Sequence, residues 1–361
     1  MGSNQIVVNL SVLFSKSTGL GSYTKNIFPY LKLLDPILLT STNYSDFNCH
    51  TIPSNITHAD GQKGHLRRLL WTQFQLPKIY DRFKSSLLFS PVPEAPIFTN
   101  CRYIVTVHDF IPLRFPKLSS PLYQYFKWYI PQVLSQATHI ICNSTATAAE
   151  TIDLFGIPAS KVTPIPLAYD PNHFYASDET EIDDAPYFLY LGRHDPYKNV
   201  ARIIAAFGQL PNCERYELWL GGSGDARYTP QLRAQVSELG LERRVKFLEY
   251  IPYSDLPKII RQARALVFPS LWEGFGLPVL EAMACGTPVI TSNLSALVEV
   301  AGDAAILVDP YEVKDIASAM FDLSQDDELH RQLRKAGLHR ASQFSWSQTG
   351  RATINVLQQY L

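Results

Sequence analysis

The chain has 361 residues, a formal net charge of −1, 46% hydrophobic and 18% charged residues. That length suits two or three packed domains, and the composition excludes a disordered or fibrous chain. The near-neutral balance argues against nucleic acid as a partner, because neutralising phosphates takes a basic surface.

Five scattered cysteines (Cys49, Cys101, Cys142, Cys213, Cys285) form no C-x-x-C pair, so neither a disulfide framework nor a thiolate metal site is expected. No apolar run approaches the ~20 residues of a membrane span. MGSNQ passes directly into the strand IVVNL at 6–10, which reads as a chain without a signal peptide, and Ile6 breaks the myristoylation pattern. The expected home is the reducing cytosol.

The loop STGLGSYTKN follows the first strand and leads into a helix expected over about 22–34. Gly19 and Gly21 would let backbone approach a phosphate there. A nicotinamide-binding reading also needs an acid after the next strand, ILLT at 37–40, and Ser41, Thr42 and Asn43 stand there instead. Residues 63–84 mix Lys63, Arg67, Arg68, Lys78, Arg82 and Lys84 with Leu69, Leu70, Trp71, Phe74 and Tyr80. Two readings stand: an amphipathic face for a membrane surface, or a core-packed helix with a solvated basic side. After the buried strand SLLFSP at 86–91, the string RYIVTVHDFIPLRFP ends a strand on His108 and Asp109. Ligands of open α/β sheets bind outside the carboxyl ends of strands. THIICNSTATAAETIDLFGI is strand, N-cap Ser144, helix and the stop Gly156, with Asn143 and Ser144 at another strand end. VTPIPL at 162–167 is the last strand of this half.

Residues 169–186 are acidic and polar, the expected linker. YFLYLG at 187–192 then starts a second domain. GRHDPYKN follows, with Arg193 and Lys198 on a loop before a helix, a pairing suited to a diphosphate. ELWLGGSGD at 217–225 ends in Gly221, Gly222 and Gly224, and RRVKFLEYIP at 243–252 is a strand ending near Tyr250 and Ile251. RALVF at 264–268 is a buried strand, followed by a loop with Gly274 and Gly276, then Pro278 where a helix begins. Glu273 lies in that loop, and Glu281 eight positions on is expected in the first helical turn. Amides converging at a helix start attract an anion, and carboxylates beside it accept bonds from hydroxyls. Phosphate next to hydroxyls describes a sugar nucleotide. AILVDP at 305–310 is the last strand, with helices near 312–323 and 326–341 and a final helix from about Ser347.

EGFGLPVLEAMACGTPVI resembles the E-x7-E signature of family 4 glycosyltransferases, which have the GT-B fold and retain anomeric configuration. The resemblance spans nearly the whole chain and is densest at 187–199, 264–310 and 102–116. It implies two Rossmann-like doubly wound domains facing across a cleft, the C-terminal one holding the nucleotide sugar and the last helix crossing back to the first. Carried over residue by residue, it implies Arg193 and Lys198 as phosphate clamps and Glu281 on the ribose. Glu273 with Phe275 and Gly276 falls to the sugar, and Leu277, Pro278 and Val279 to the diphosphate. Gly21, Gly222, Tyr250 and Ile251 contact the donor; His108 positions sugar or acceptor, and Asp109 orients His108 or binds acceptor. HDFIPLRFP is similar to bacterial polysaccharide and O-antigen sugar transferases using GDP-mannose or UDP-glucose, with a slight lean to UDP-glucose. The acceptor implied is a saccharide or lipid-linked saccharide. No D-x-D pair occurs, so activity without metal or cofactor is expected. A GT-B sugar-nucleotide 2-epimerase or a non-catalytic sugar-nucleotide-binding module are the alternatives.

Overall fold

The structure is a computed structural model that describes residues 5–13, 19–57, 61–177, 186–211 and 213–361, Gly19 and Leu20 by backbone alone. Part of the first glycine loop (14–18) and part of the expected linker (178–185) lie outside the described residues. The chain divides into two compact units, Met1–Leu167 with Ser345–Leu361, and Ala168–Phe344.

The strands of the first unit are β1 (Ile6–Asn9), β2 (Ile37–Thr40), β3 (Asn48–Thr51), β4 (Leu87–Ser90), β5 (Tyr103–Val107), β6 (His139–Cys142) and β7 (Val162–Pro164). Those of the second are β8 (Tyr187–Leu191), β9 (Glu217–Gly221), β10 (Val245–Leu248), β11 (Ala265–Phe268), β12 (Val289–Ser292) and β13 (Ile306–Val308). The sheet orders are β3-β2-β1-β4-β5-β6-β7 and β10-β9-β8-β11-β12-β13, and every pairing is parallel. Both are doubly wound. Strand order reverses between β1 and β4 in one unit and between β8 and β11 in the other, the switch points where such sheets bind ligands. The central strands are continuous apolar runs buried on both faces, as parallel sheets covered by helices require.

Some expectations change at the element level. The helix expected over 22–34 is an α-helix, Gly19–Ile27, that tightens into a 3₁₀ stretch, Phe28–Leu34. Pro29 supplies the reason, since it has no N–H for the α-helical ladder. β3 went unread because NCHT is a short, half-exposed edge strand without an apolar pattern. Residues 63–84 form two helices, Gly61–Phe74 and Leu76–Arg82, the second opened by Pro77. Their inner side is core: Arg68, Trp71, Thr72, Leu76 and Tyr80 are buried. Their outer side exposes Lys63, Leu66, Arg67, Leu70, Phe74 and Lys78.

The final helix, Trp346–Gln358, packs within the first unit. Ile354, Val356 and Leu357 join a core cluster with Ile6, Val8, Phe28 and Leu31. Gly350 lets it approach Tyr30, because a Cβ there would stand 2.4 Å from the Tyr30 ring. Thr349 Oγ1 donates to the Pro166 carbonyl at 2.8 Å.

Candidate active site

In the second unit the loops after β8 and β11 are tied together at the switch point. The Leu271 amide donates to the Tyr197 carbonyl at 2.7 Å. Asn199, buried and left-handed (φ 66°), uses its amide nitrogen as a rivet, donating to the carbonyls of Pro269 (2.9 Å) and Pro310 (2.6 Å). That rivet sets the residue before it. Lys198 Nζ meets Glu273 Oε1 at 2.6 Å, with both side chains largely buried. The ammonium also lies 5.4 Å from the centre of the Phe268 ring. The Glu273 amide donates to Ser295 Oγ at 3.2 Å, which fixes the loop from the far side. The two side chains expected to serve phosphate and sugar separately are thus an ion pair in this structure.

Arg193 is placed differently. Its side chain is 63% exposed and reaches Asp195 at 3.2 Å, with Asp225 at 4.0 Å. Gly222 has a steric reason for its identity: with φ at 134°, a Cβ would fall 2.1 Å from the Gly192 carbonyl oxygen. Gly276 (φ 113°) precedes the helix Leu277–Ala284. Phe275 is buried against Phe344, ring centres 6.0 Å apart.

Two expectations about that helix need correction. Glu281 is its fifth residue and stands in the second turn, not the first, because the helix begins one residue before Pro278. Val279 does not offer its amide to a ligand, since that N–H donates to the Gly276 carbonyl at 3.0 Å. Pro278 has none. The amides left at this end belong to the residues before Pro278. Burial of the Glu281 carboxyl pushes its pKa up to about 7.

A recess of about 400 Å³ opens at the carboxyl ends of β9 and β10. Gly222 and Tyr250 line it, together with His194, Arg233 and Glu249, which the sequence reading passed over. His194 sits inside the quoted GRHDPYKN string, and that was the available signal. Ile251 lies beside Gly221, where a Cβ would meet its Cδ1 at 2.6 Å.

In the first unit His108 follows β5 directly. Its Nε2 lies 2.9 Å from the Pro91 carbonyl, and Tyr23 meets its ring edge-on at 4.8 Å. Burial lowers its pKa to about 4, so the ring is neutral at neutral pH. The Pro91 carbonyl takes the His108 Nε2, while Asp109 Oδ1 accepts from the Ile111 amide at 3.0 Å. Gly21 is buried within the helix Gly19–Ile27. Sequence reasoning missed the buried ion pair behind the Pro91 loop. Glu94 accepts from Arg68 Nε and Nη2, both at 2.7 Å, and from the Tyr125 hydroxyl at 3.1 Å.

Residues 174–340 match the family model "Glycosyl transferases group 1" and 41–173 match "Glycosyltransferase Family 4". This chain belongs to the group 1/family 4 glycosyltransferases. It is 33% identical to the O-antigen chain mannosyltransferase B of Escherichia coli over 70% of this chain and 69% of that one. It is 27% identical to the O-antigen chain mannosyltransferase RfbU of Salmonella typhimurium over 89% and 91%. Among solved structures, Anabaena Alr3699/HepE in complex with UDP-glucose superposes with a TM-score of 0.74 at 18% identity, over 98% and 99% of the two chains. The glycosyltransferase has the GT-B fold, built from two parallel-sheet Rossmann-like units. Among the described residues no helix is long and apolar enough to cross a membrane.

Proposed function

We propose that this glycosyltransferase moves a hexosyl group from a nucleoside-diphosphate sugar to a hydroxyl of a saccharide or lipid-linked saccharide in cell-surface polysaccharide synthesis. The reaction retains anomeric configuration and uses no metal. The observation that carries the reading is the Lys198–Glu273 pair at the β8/β11 switch point, beside the start of the helix Leu277–Ala284. UDP-glucose and GDP-mannose are the candidate donors. Two relatives matched over more than two thirds of both chains are mannosyltransferases, which favours mannosyl over the glucosyl group first leaned to.

As the bond from the anomeric carbon to the β-phosphate oxygen breaks, negative charge gathers on the phosphate. Lys198 turns from Glu273 to that anion, joined by Arg193 and the amides before Pro278. Glu273, released, accepts from sugar hydroxyls, and Glu281 accepts from the ribose. Preorganised donors of this sort are each worth about 10²–10³ in rate. Retention follows either from front-face attack, with the departing phosphate taking the acceptor proton, or from double displacement through Glu273. His108, neutral and held by Pro91, positions sugar or acceptor, and Gly21 keeps backbone close to the donor.

The exposed row Lys63, Leu66, Arg67, Leu70 and Phe74 on the helix Gly61–Phe74 supports peripheral contact with an anionic bilayer, where a lipid-linked acceptor would reside.

The test is nucleotide release from UDP-glucose, UDP-galactose, GDP-mannose and GDP-fucose under excess chelator. One donor is expected to turn over, with activity lost in Lys198→Ala and Glu281→Ala. No release and no nucleotide binding would sink the reading, and metal-rescued activity would sink its metal-free part.

A further inference from the structure

The recess at the ends of β9 and β10 holds a polar group that the fold leaves unsatisfied. His194 is only 3% exposed. Its Nδ1 lies 2.8 Å from Thr229 Oγ1, and that same oxygen accepts from the Asp225 amide at 2.8 Å. We assign the Thr229 hydroxyl hydrogen to Nδ1, where it finds an acceptor, and this leaves the ring hydrogen on Nε2. Nε2 has no partner among the described residues. Buried N–H groups are nearly always paired, so an orphan lining a recess marks the place where a ligand acceptor belongs. Burial and the neighbouring Arg233 lower the His194 pKa, which keeps the ring a neutral single donor.

Two charged side chains of the recess complete a pattern. Arg233 stacks its guanidinium over Phe247, 4.3 Å from the ring centre, and His194 meets the same ring edge-on at 5.9 Å. Glu249 supplies a carboxylate, and its carbonyl accepts from the Gly222 amide at 3.3 Å, which pins the loop. Beside the hydroxyls of Ser223, Thr229 and Tyr250, the recess thus offers two donor-only groups, His194 and Arg233, and one acceptor-only group, Glu249. Guanine presents the complement: the acceptors O6 and N7 on one edge, and the adjacent donors N1–H and N2–H₂ on the next. A carboxylate accepts from two adjacent N–H groups at once. Uracil has one N–H between two carbonyl oxygens, and their lone pairs would face the same carboxylate.

We propose that this recess takes the base of the donor nucleotide and that the base is guanine. Glu249 reads the N1–H and N2–H₂ pair, while His194 Nε2 and Arg233 donate to the O6/N7 edge. The assignment rests on the nucleotide-sugar reading of the second unit and makes Glu249 the residue that selects guanine over uracil.

Calorimetry of GDP, inosine diphosphate and UDP binding to the full chain tests it, because inosine diphosphate lacks only the 2-amino group. The expected order is GDP, then inosine diphosphate about tenfold weaker, then UDP weaker again. Glu249 is exposed, so Glu249→Ala leaves the fold intact. It should bring GDP and inosine diphosphate to equal affinity and narrow the gap to UDP, whose uracil oxygens no longer face a carboxylate. His194→Phe should weaken both purine nucleotides alike. UDP binding as tightly as GDP, or a GDP/inosine diphosphate ratio unchanged in Glu249→Ala, overturns the base assignment and leaves the transferase reading standing. Binding by none of the three overturns both.

Discussion

Replacing Glu281 by Gln should stabilise the protein in a pH-dependent way while weakening donor binding. The carboxyl is held at about pKa 7 by burial alone. An acid whose folded pKa is raised binds more protons folded than unfolded between the two values, so rising pH erodes stability across that window. Here the window runs from the unfolded value, about 4.5, to about 7. A shift of about 2.5 units at 1.36 kcal/mol each makes the ionisation cost about 3 kcal/mol at pH 8, and under ~1 kcal/mol at pH 5. Gln has the same shape and never ionises. The gain of Glu281→Gln over wild type, measured by urea unfolding, should therefore be about 2.5 kcal/mol larger at pH 8 than at pH 5. Any constant effect of the swap cancels between the two pH values. Nucleotide affinity should fall at the same time, because the amide cannot replace a carboxylate on the ribose. Wild-type nucleotide binding near pH 7 should release a proton, read as a dependence of calorimetric heat on buffer ionisation enthalpy. Equal stability differences at pH 5 and pH 8 would refute the reasoning.

Lys198→Ala should lower kcat by about 10²–10³ in a donor turnover assay, and it also leaves Glu273 buried without its cation, so thermal stability should fall. Asn199→Ala strands the Pro269 and Pro310 carbonyls, each worth about 1–3 kcal/mol when orphaned. Denaturant titration should show that loss, and activity should fall with it because Lys198 is the adjacent residue. Gly222→Ala forces a Cβ against the Gly192 carbonyl oxygen and should abolish nucleotide binding, checked by calorimetry. Leu70→Glu with Phe74→Glu should reduce co-sedimentation with anionic vesicles and leave hydrolysis of soluble donor unchanged, since both side chains are exposed on the outer face of the helix Gly61–Phe74.

Much of the architecture was legible because parallel strands buried on both faces announce themselves as apolar runs. YFLYL, ALVF and VITS needed no partner to be read. The glycines at strand ends were legible for a similar local reason. Partnerships were not. Lys198 and Glu273 are 75 positions apart, and Arg68 and Glu94 are 26 apart, so only folding shows that each cation has a carboxylate. The start of the helix at Leu277 hid in the single-residue ambiguity that Pro278 leaves, and it moved Glu281 into the second turn. His194 escaped notice because its importance lies in an unsatisfied nitrogen, which no residue pattern encodes.

The final helix carries a consequence for biosynthesis. The first unit is made from two separate stretches, Met1–Leu167 and Ser345–Leu361, whereas the second is one continuous stretch, Ala168–Phe344. During vectorial synthesis the second unit has all its residues before the first can close. Until residues 354–357 have left the ribosome, Ile6, Val8, Phe28 and Leu31 lack the cover that Ile354, Val356 and Leu357 supply. The nascent enzyme therefore keeps an apolar surface of the first unit open until after the second has been synthesised, and loss of residues 354–357 damages the unit whose strands were translated earlier.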